Sequence, residues 1–328
     1  MSNNQPSSKS SPINSEPDKA PMLEQLSTTK KQRLNPIWQA RLNRFRQNRL
    51  GVISLFVFAV IFVICMAANV IANDKPLLVQ YQGDYYFPVL KAYPETTFGG
   101  VFETETNYKD PAVQSLIDEQ GFYMMPPIPF ADQTPNVELG LPYPAAPNAQ
   151  NWLGTDDMGR DVLARILYGM RVSLLFGLAL TLAGALIGII VGAVQGYYGG
   201  WVDLAGQRFM EVWGGMPQLF MIIILVSLFS PSIIMLFAMM LLFGWMGLVG
   251  LVRAEFLRAR NFDYVRAARN LGVSDSQIML RHILPNALAS SLSQLPFILT
   301  ANIIALTALD FLGYGLPPGS PSLGELMV

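Results

Sequence analysis

Long apolar stretches alternate with polar segments along most of this chain. Residues 50–72 carry no charge at all, and further apolar stretches cover 172–197, a third region that includes 216–229, then 233–252 and 285–311. A membrane-spanning helix needs about 20 consecutive, mainly apolar residues. The pattern therefore predicts an all-α, multi-pass membrane protein with five spans. Ser230-Pro231-Ser232 leaves room only for a tight turn between the third and fourth. Pro296 interrupts the fifth, and Gly214-Gly215-Met216-Pro217 opens the third. Proline removes a backbone donor, so both places can kink a helix, and kinks occur in moving and in static bundles alike. Within the second span Gly184, Gly188, Gly192 and Gly196 recur every four residues, on one helix face where a neighbouring helix can approach closely. That face packs either inside the bundle or against a partner subunit. Met235, Met239, Met240 and Met246 of the fourth span suit a lipid-facing or packing surface.

The polar segments give the organisation. Residues 1–49 form a tail. Its first part, to Asn35, is rich in Ser, Asn, Pro, Lys and Gln, a disordered composition. From Pro36 to Leu50, Trp38, Leu42 and Phe45 recur at helical spacing among Arg41, Arg44, Arg46 and Arg49, which suits a short helix lying on an anionic membrane face. Residues 73–151 are dense in Pro, Tyr and acidic side chains, with only Lys75, Lys91 and Lys109 as cations. Residues 152–328 hold the remaining spans and an arginine-bearing loop at about 253–285. Cations gather on the cytoplasmic side of membrane proteins. The cluster before the first span therefore puts the N-terminus inside and 73–151 outside. The span count then returns the loop with Arg253, Arg258, Arg260, Arg266, Arg269 and Arg281 to the inside.

Composition narrows the chemistry. Of 328 residues, 52% are hydrophobic and 14% charged, against about a quarter charged in soluble domains. The net charge of −1 says little, because the charges are segregated. The single cysteine, Cys65, makes no intrachain disulfide, and the single histidine, His282, excludes a multi-histidine metal site. The first apolar run exceeds the 7–15 residues of a signal-peptide core, and no cleavage site follows it cleanly. There is no glycine-rich phosphate loop and no acidic pair inside a span, so no catalytic residues, metal or bound cofactor are assigned. Asp310 is the one carboxylate near a span end, a place where charge can mark an ion path, and it is read as interfacial.

Two motifs carry a resemblance. In the inner loop, Asp263 and Arg266 precede Ala267-Ala268, Gly272 follows four residues after Ala268, and Ile283-Leu284-Pro285 closes the run. This resembles the EAA loop of bacterial ABC importer permeases, with Arg266 where the family usually has Glu and His282 where it has an apolar residue. A small-residue helix face admits a partner's groove, and a glycine readily ends such a helix. The second motif is Leu153-Gly154-Thr155-Asp156-Asp157-Met158-Gly159-Arg160-Asp161, continued through Arg165, Gly169 and Arg171-Val172-Ser173-Leu174. With Asp310-Phe311-Leu312-Gly313-Tyr314-Gly315-Leu316 it resembles the DppC/OppC family of dipeptide and oligopeptide permeases over 151–328. Thr155 or Asp156 is the expected cap of the helix that follows; the residues themselves also fit a plain solvated turn.

The long outer segment resembles that of the YejE type within this family, whose transporter imports oligopeptides and the peptide-nucleotide antibiotic microcin C. The resemblance implies a type I permease bundle with a periplasmic insertion after the first helix, placed in a bacterial inner membrane. It implies half of a heterodimeric pore working with a second, YejB-like permease, a YejF-like ATPase that uses ATP and magnesium, and a YejA-like periplasmic peptide-binding protein. The family has six spans, so a last helix beyond Val328 is expected. Tyr81, Tyr85, Tyr86, Phe87, Tyr93, Phe98, Phe122 and Tyr123 either contact the delivering protein or form the core of a small loop domain. Two other classes compete. A membrane-anchored peptide-processing or scaffold protein would use 73–151 as its working domain, yet that segment has no Cys or His. An ion-coupled transporter would need buried carboxylates or inverted repeats, and neither is visible.

Overall fold

The computed structural model describes residues 43–140, 142–229, 232–317 and 319–327. The expected disordered tail, Trp38, Arg41 and the Ser230-Pro231 turn lie outside them. The chain divides into two units, Met1–Ala59 and Val60–Val328. In the first, residues 43–47 are helical and the Asn48 side chain accepts from the Gly51 amide at 3.2 Å. There α1 (Arg49–Met66) begins; it is apolar on all sides and buries only Cys65, as a helix surrounded by lipid does.

In the second unit a short helix, α2 (Ala68–Ile71), leads into the polar segment. That segment is folded. Strands β1 (Leu78–Tyr81), β2 (Asp84–Tyr86) and, after helix α3 (Pro111–Gln120), β3 (Gly121–Met124) make an antiparallel sheet in the order β2-β1-β3. Asp110 caps α3 by accepting from the Ala112 amide, with Pro111 at its first position. Val79, Tyr81, Phe98, Tyr108, Val113 and Ile117 form the core, with Tyr86, Tyr93 and Tyr123 packed on it. Phe98 meets Tyr81, Tyr86 and Tyr108 edge-on at centroid distances of 5.7, 5.3 and 5.8 Å, the favourable arrangement of ring quadrupoles. Most of the aromatics therefore build a small loop domain, while Tyr85, Phe87 and Phe122 stay exposed.

The bundle follows as α4 (Val162–Tyr198), α5 (Gly200–Gly214), α6 (Gln218–Leu228), α7 (Ile233–Gly244), α8 (Val249–Ala259), α9 (Asp263–Asn270), α10 (Asp275–Gln277), α11 (Leu284–Leu292) and α12 (Leu295–Phe311). A 3₁₀ turn, Trp245–Leu248, joins α7 to α8, and a π turn, Ile278–Ile283, joins α10 to α11. Among the described residues three helices are long and apolar enough to cross a bilayer: Arg49–Met66, Val162–Tyr198 and Ile233–Ala259. Two bent pairs, α5–α6 bent by 71° and the run from Asp275 to Phe311 bent by 54°, raise the number to five if each pair is counted as one span. The bends fall at Gly215–Pro217 and just before Pro296, where the sequence placed its helix breakers.

Helix α4 is the axis of this unit. At 1.5 Å per residue its 37 residues extend about 55 Å, well beyond the roughly 30 Å hydrocarbon layer. It starts ten residues before the expected Val172. Its first turns pack with α2 and Ile128-Phe130, and the Tyr168 hydroxyl donates to the Ala72 carbonyl at 2.9 Å. Further along, the glycine row meets the α7–α8 backbone. A Cβ at Gly188 would lie 2.6 Å from the Trp245 carbonyl oxygen, at Gly192 2.8 Å from that of Val249, and at Gly196 2.5 Å from that of Arg253. Gly177 makes room for α12 side chains, where a Cβ would meet that of Ile303 at 2.8 Å, and Asn302 donates to Thr181 Oγ1 at 2.9 Å. The row therefore serves packing within the chain. Around it Phe176, Leu180, Ile222, Leu236, Met240, Phe243, Leu306 and Leu309 close the apolar core.

Gly192→Leu should lower the melting temperature of the detergent-solubilised protein by several degrees, because overpacking of this kind costs about 1–3 kcal/mol. Gly250→Ala, where a Cβ meets nothing within 4 Å, should leave it unchanged. Equal melting of the two variants would take the packing role away from the glycine row.

Candidate functional site

The outer motif folds into a self-contained polar cluster. Gly154 and Gly159 both have φ of +78°, a backbone that side chains rarely tolerate, and the two turns they make bring the carboxylates inward. Asp156 accepts from the amides of Met158 and Arg160 at 3.0 and 2.8 Å, from Arg160 Nε at 2.8 Å and from Arg165 Nη1 at 2.5 Å. The cap of α4 is Asp161, whose Oδ1 accepts from the Ala164 amide at 2.7 Å. This corrects the expectation for Thr155 or Asp156. Thr155 instead accepts from the Ala145 amide at 2.9 Å, and Asp156 is spent on arginines. The second Asp161 oxygen accepts from Asn151, which itself accepts from Asn136, each at 2.8 Å.

This cluster also holds the segment that follows α12. Arg165, 2% exposed, pairs with Glu325 at 3.1 Å, and Arg160 reaches the same carboxylate at 3.7 Å. Asp310, at the end of α12, accepts from the Leu316 amide at 2.6 Å and from the Ser322 hydroxyl at 2.5 Å. It is thus the organiser of the loop behind α12. Gly154, Thr155, Asp156, Gly159, Arg160 and Asp161 are all brought together here, while Asp157 is exposed. Glu325 and Asn136 were missed; Glu325 joins from 160 residues beyond Arg165 and Asn136 from 15 residues before Asn151, and no local spacing announces either. Asp156, Arg160, Asp161, Arg165 and Glu325 each have a charged or amide partner, so the arrangement is a clamp rather than a reacting centre. Among the described residues no group of His, Cys, Asp or Glu could hold a metal ion.

The inner loop is built on a second core. Ala193 and Tyr197 of α4, Val252, Phe256 and Ala259 of α8, Val265 and Ala268 of α9, and Ile278, Ile283 and Ala287 beyond it form one buried cluster. The Ala267-Ala268 pair is split: Ala268 faces this core and Ala267 is exposed, since neighbours on a helix point about 100° apart. Asp263 occupies the first turn of α9; Asp263 and Arg266 are exposed. Gly272 ends the helix with φ +79°. Its amide donates to the Arg269 carbonyl at 3.0 Å and the Val273 amide to that of Ala268 at 3.1 Å, the paired bonds of a Schellman motif. Ile283 is buried, Leu284 half-buried, and Pro285 opens α11. The surface left outside carries Phe262, Tyr264, Ala267, Leu271 (83% exposed) and Leu280. On the same side Arg253 binds both oxygens of Asp203, Nη2 to Oδ2 at 2.7 Å, and ties α5 to α8.

A family profile described as binding-protein-dependent transport system inner membrane component matches residues 184–327, and one described as the N-terminal TM domain of oligopeptide transport permease C matches 37–88. The inner membrane ABC transporter permease protein YejE of Escherichia coli (strain K12) is 56% identical over 90% of this chain and 87% of its own length. The chain belongs to the YejE-type ABC permeases of the DppC/OppC family. The peptidoglycan transport system permease protein YejE of Agrobacterium fabrum is 47% identical over 93% of this chain and 86% of its own length. The dipeptide transport system permease protein DppC of Bacillus subtilis is 36% identical over 55% and 56%. The YejE-type chain is accordingly a membrane permease subunit and not an enzyme, and its inner loop and Glu325 both lie inside the transport-component match.

Burial raises the pKa of Asp156, but the hydrogen bonds and charges of Arg160 and Arg165 outweigh it and hold the carboxyl below its ordinary 3.8. A lowered folded pKa means a stabilising contribution that is complete above the ordinary value and is lost as pH falls through the folded one. The melting-temperature margin of the wild type over Asp156→Asn should therefore be constant from pH 7 to about pH 5 and shrink below about pH 4. No margin at pH 7 would contradict a stabilising role for the cluster.

Proposed function

We propose that this chain forms one half of the translocation pore of an ATP-driven importer of oligopeptides, and that α9 is the surface through which a partner ATPase drives it. The observation that carries the proposal is the construction of the inner loop. A short helix rests on a core shared with α4 and α8, is stopped by a glycine in the left-handed region, and leaves Phe262, Tyr264, Ala267 and Leu271 uncovered. An apolar, small-residue surface on a firm base is what a docking groove of another protein requires. Because the base is continuous with two spans, displacement of α9 displaces them too.

The remaining parts follow from the family. A second, YejB-like permease completes the pore, a YejF-like ATPase supplies ATP hydrolysis with magnesium, and a YejA-like binding protein delivers the substrate. The N-terminus and α9 face the cytoplasm, as the arginine clusters favour, and 73–151 faces the periplasm. There the exposed Leu90, Val101 and Phe102 beside the folded sheet suit contact with the binding protein. Substrates are peptides, including peptide-nucleotide antibiotics such as microcin C; the Agrobacterium relative is named for peptidoglycan transport.

Gly272→Val should abolish peptide uptake and substrate-stimulated ATP hydrolysis in reconstituted vesicles while the protein still inserts. A Cβ at this site meets nothing within 4 Å, so the penalty is the left-handed backbone alone, about 1–3 kcal/mol. Gly272→Asn, which tolerates that backbone better, should retain most of the uptake. Full uptake by the valine variant would count against the coupling role.

A further inference from the structure

At the end of α4 lies a polar cleft of about 580 Å³ lined by Tyr197, Tyr198, Arg260, Asn261, Arg269 and Asp275. Two guanidinium groups converge on it. Arg269 Nη2 donates to the Tyr197 hydroxyl at 3.0 Å, and Arg260 Nη1 donates to the Tyr197 carbonyl at 3.3 Å. Neither makes an ion pair among the described residues, whereas Arg253 and Arg258 nearby are matched to Asp203 and Glu255. The one carboxylate in the cleft, Asp275, accepts the Tyr197 hydroxyl proton at 2.5 Å. The lining thus carries a net positive charge. The site is also shaped around Arg260: a Cβ at Gly199 would collide with its guanidinium, so glycine there lets the side chain lie across the turn that ends α4.

The surroundings say which anion. The cleft sits where a long apolar helix gives way to polar backbone, beside Tyr198 (53% exposed) and Trp201 (81% exposed), with Val202 and Leu204 exposed on the adjoining α5. Exposed Tyr and Trp at a span end mark the level of lipid headgroups, and basic pockets between spans at that level bind anionic ones. Guanidinium forks bind phosphate oxygens in pairs. We propose that Arg260 and Arg269 bind the phosphate of an anionic phospholipid, which would wedge between α4 and the loop that carries α9. The site does not depend on which side of the membrane this end faces, and it goes beyond the coupling reading.

The test uses the full chain, purified with whatever subunits accompany it, in mixed micelles holding equal parts of phosphatidylcholine and phosphatidylglycerol. Native mass spectrometry should show phosphatidylglycerol retained in preference. Its apparent affinity should fall about fivefold in Arg269→Gln and roughly thirtyfold in Arg260→Gln/Arg269→Gln. Arg208→Gln, on the exposed face of α5 and paired with Glu211, should match the wild type, and melting curves of each variant establish folding. Since Arg269 is exposed, its single variant keeps the test decisive where the double variant fails to fold. Equal retention by wild type and Arg269→Gln would overturn the site. Binding of inorganic phosphate from solution at these arginines, with no lipid retained, would overturn the lipid assignment. Neither result touches uptake, so the coupling reading stands or falls separately.

Discussion

The close approach of α4 to the α7–α8 helix is the contact on which the rest depends. Three carbonyl oxygens of that helix lie where side chains at Gly188, Gly192 and Gly196 would stand. Between two helices in lipid there is no hydrophobic force to hold them, since the surrounding chains are as apolar as the side chains. Association then rests on packing at short range, and only a row of glycines admits that range along several turns. The same helix receives α12 at Gly177. A single 37-residue helix therefore sets the spacing of two others, and the loop that follows α8 rests on the core that continues this contact.

Both ends of α4 are finished in polar chemistry, in different ways. At one end Asp161 caps the helix, and Asp156 draws together Arg160 and Arg165, which in turn hold Glu325. Charges buried this way are tolerated because each is paired: Arg165 hydrogen-bonds Asp156 through Nη1, while its Nε and Nη2 make no hydrogen bond. The cluster fastens the segment after α12 onto the start of α4, with Asp310 shaping the loop between. At the other end Tyr197 bridges Arg269 and Asp275, and the arginines there are left short of carboxylates. One end is closed on itself. The other leaves its arginines uncovered, in keeping with the proposed docking surface and anion site.

Much of this was legible in the residues. The apolar stretches predict five spans, which the structure matches when each bent helix pair counts as one, and the breakers at Gly215–Pro217 and Pro296 lie at the two bends. Gly272 could be read as a helix end because only the left-handed backbone makes a glycine there useful. The fourfold glycine spacing declared a close face but not its partner, which depends on how the chain folds back. The capping residue was misplaced because Thr155, Asp156 and Asp161 are all good caps, and only the bonds to Arg160 and Arg165 remove Asp156 from contention. Ala267-Ala268 reads as one surface in sequence, yet a helix turns the second into the core. The small sheet of residues 78–124 went unseen: its strands are three or four residues long and their alternation is too brief to register. Glu325 is the extreme case, a contact across 160 residues with no local signature.

A photo-reactive side chain at Leu271 tests most directly whether α9 is where force enters. Leu271 is 83% exposed at the end of that helix, and Val101, 84% exposed in the folded insertion, is the matched control. In membranes carrying the whole transporter, Leu271 should cross-link to the ATPase subunit and Val101 should not. An ATPase adduct from Val101, or none from Leu271 in an assembled and active complex, would contradict the assignment of α9 as the coupling surface.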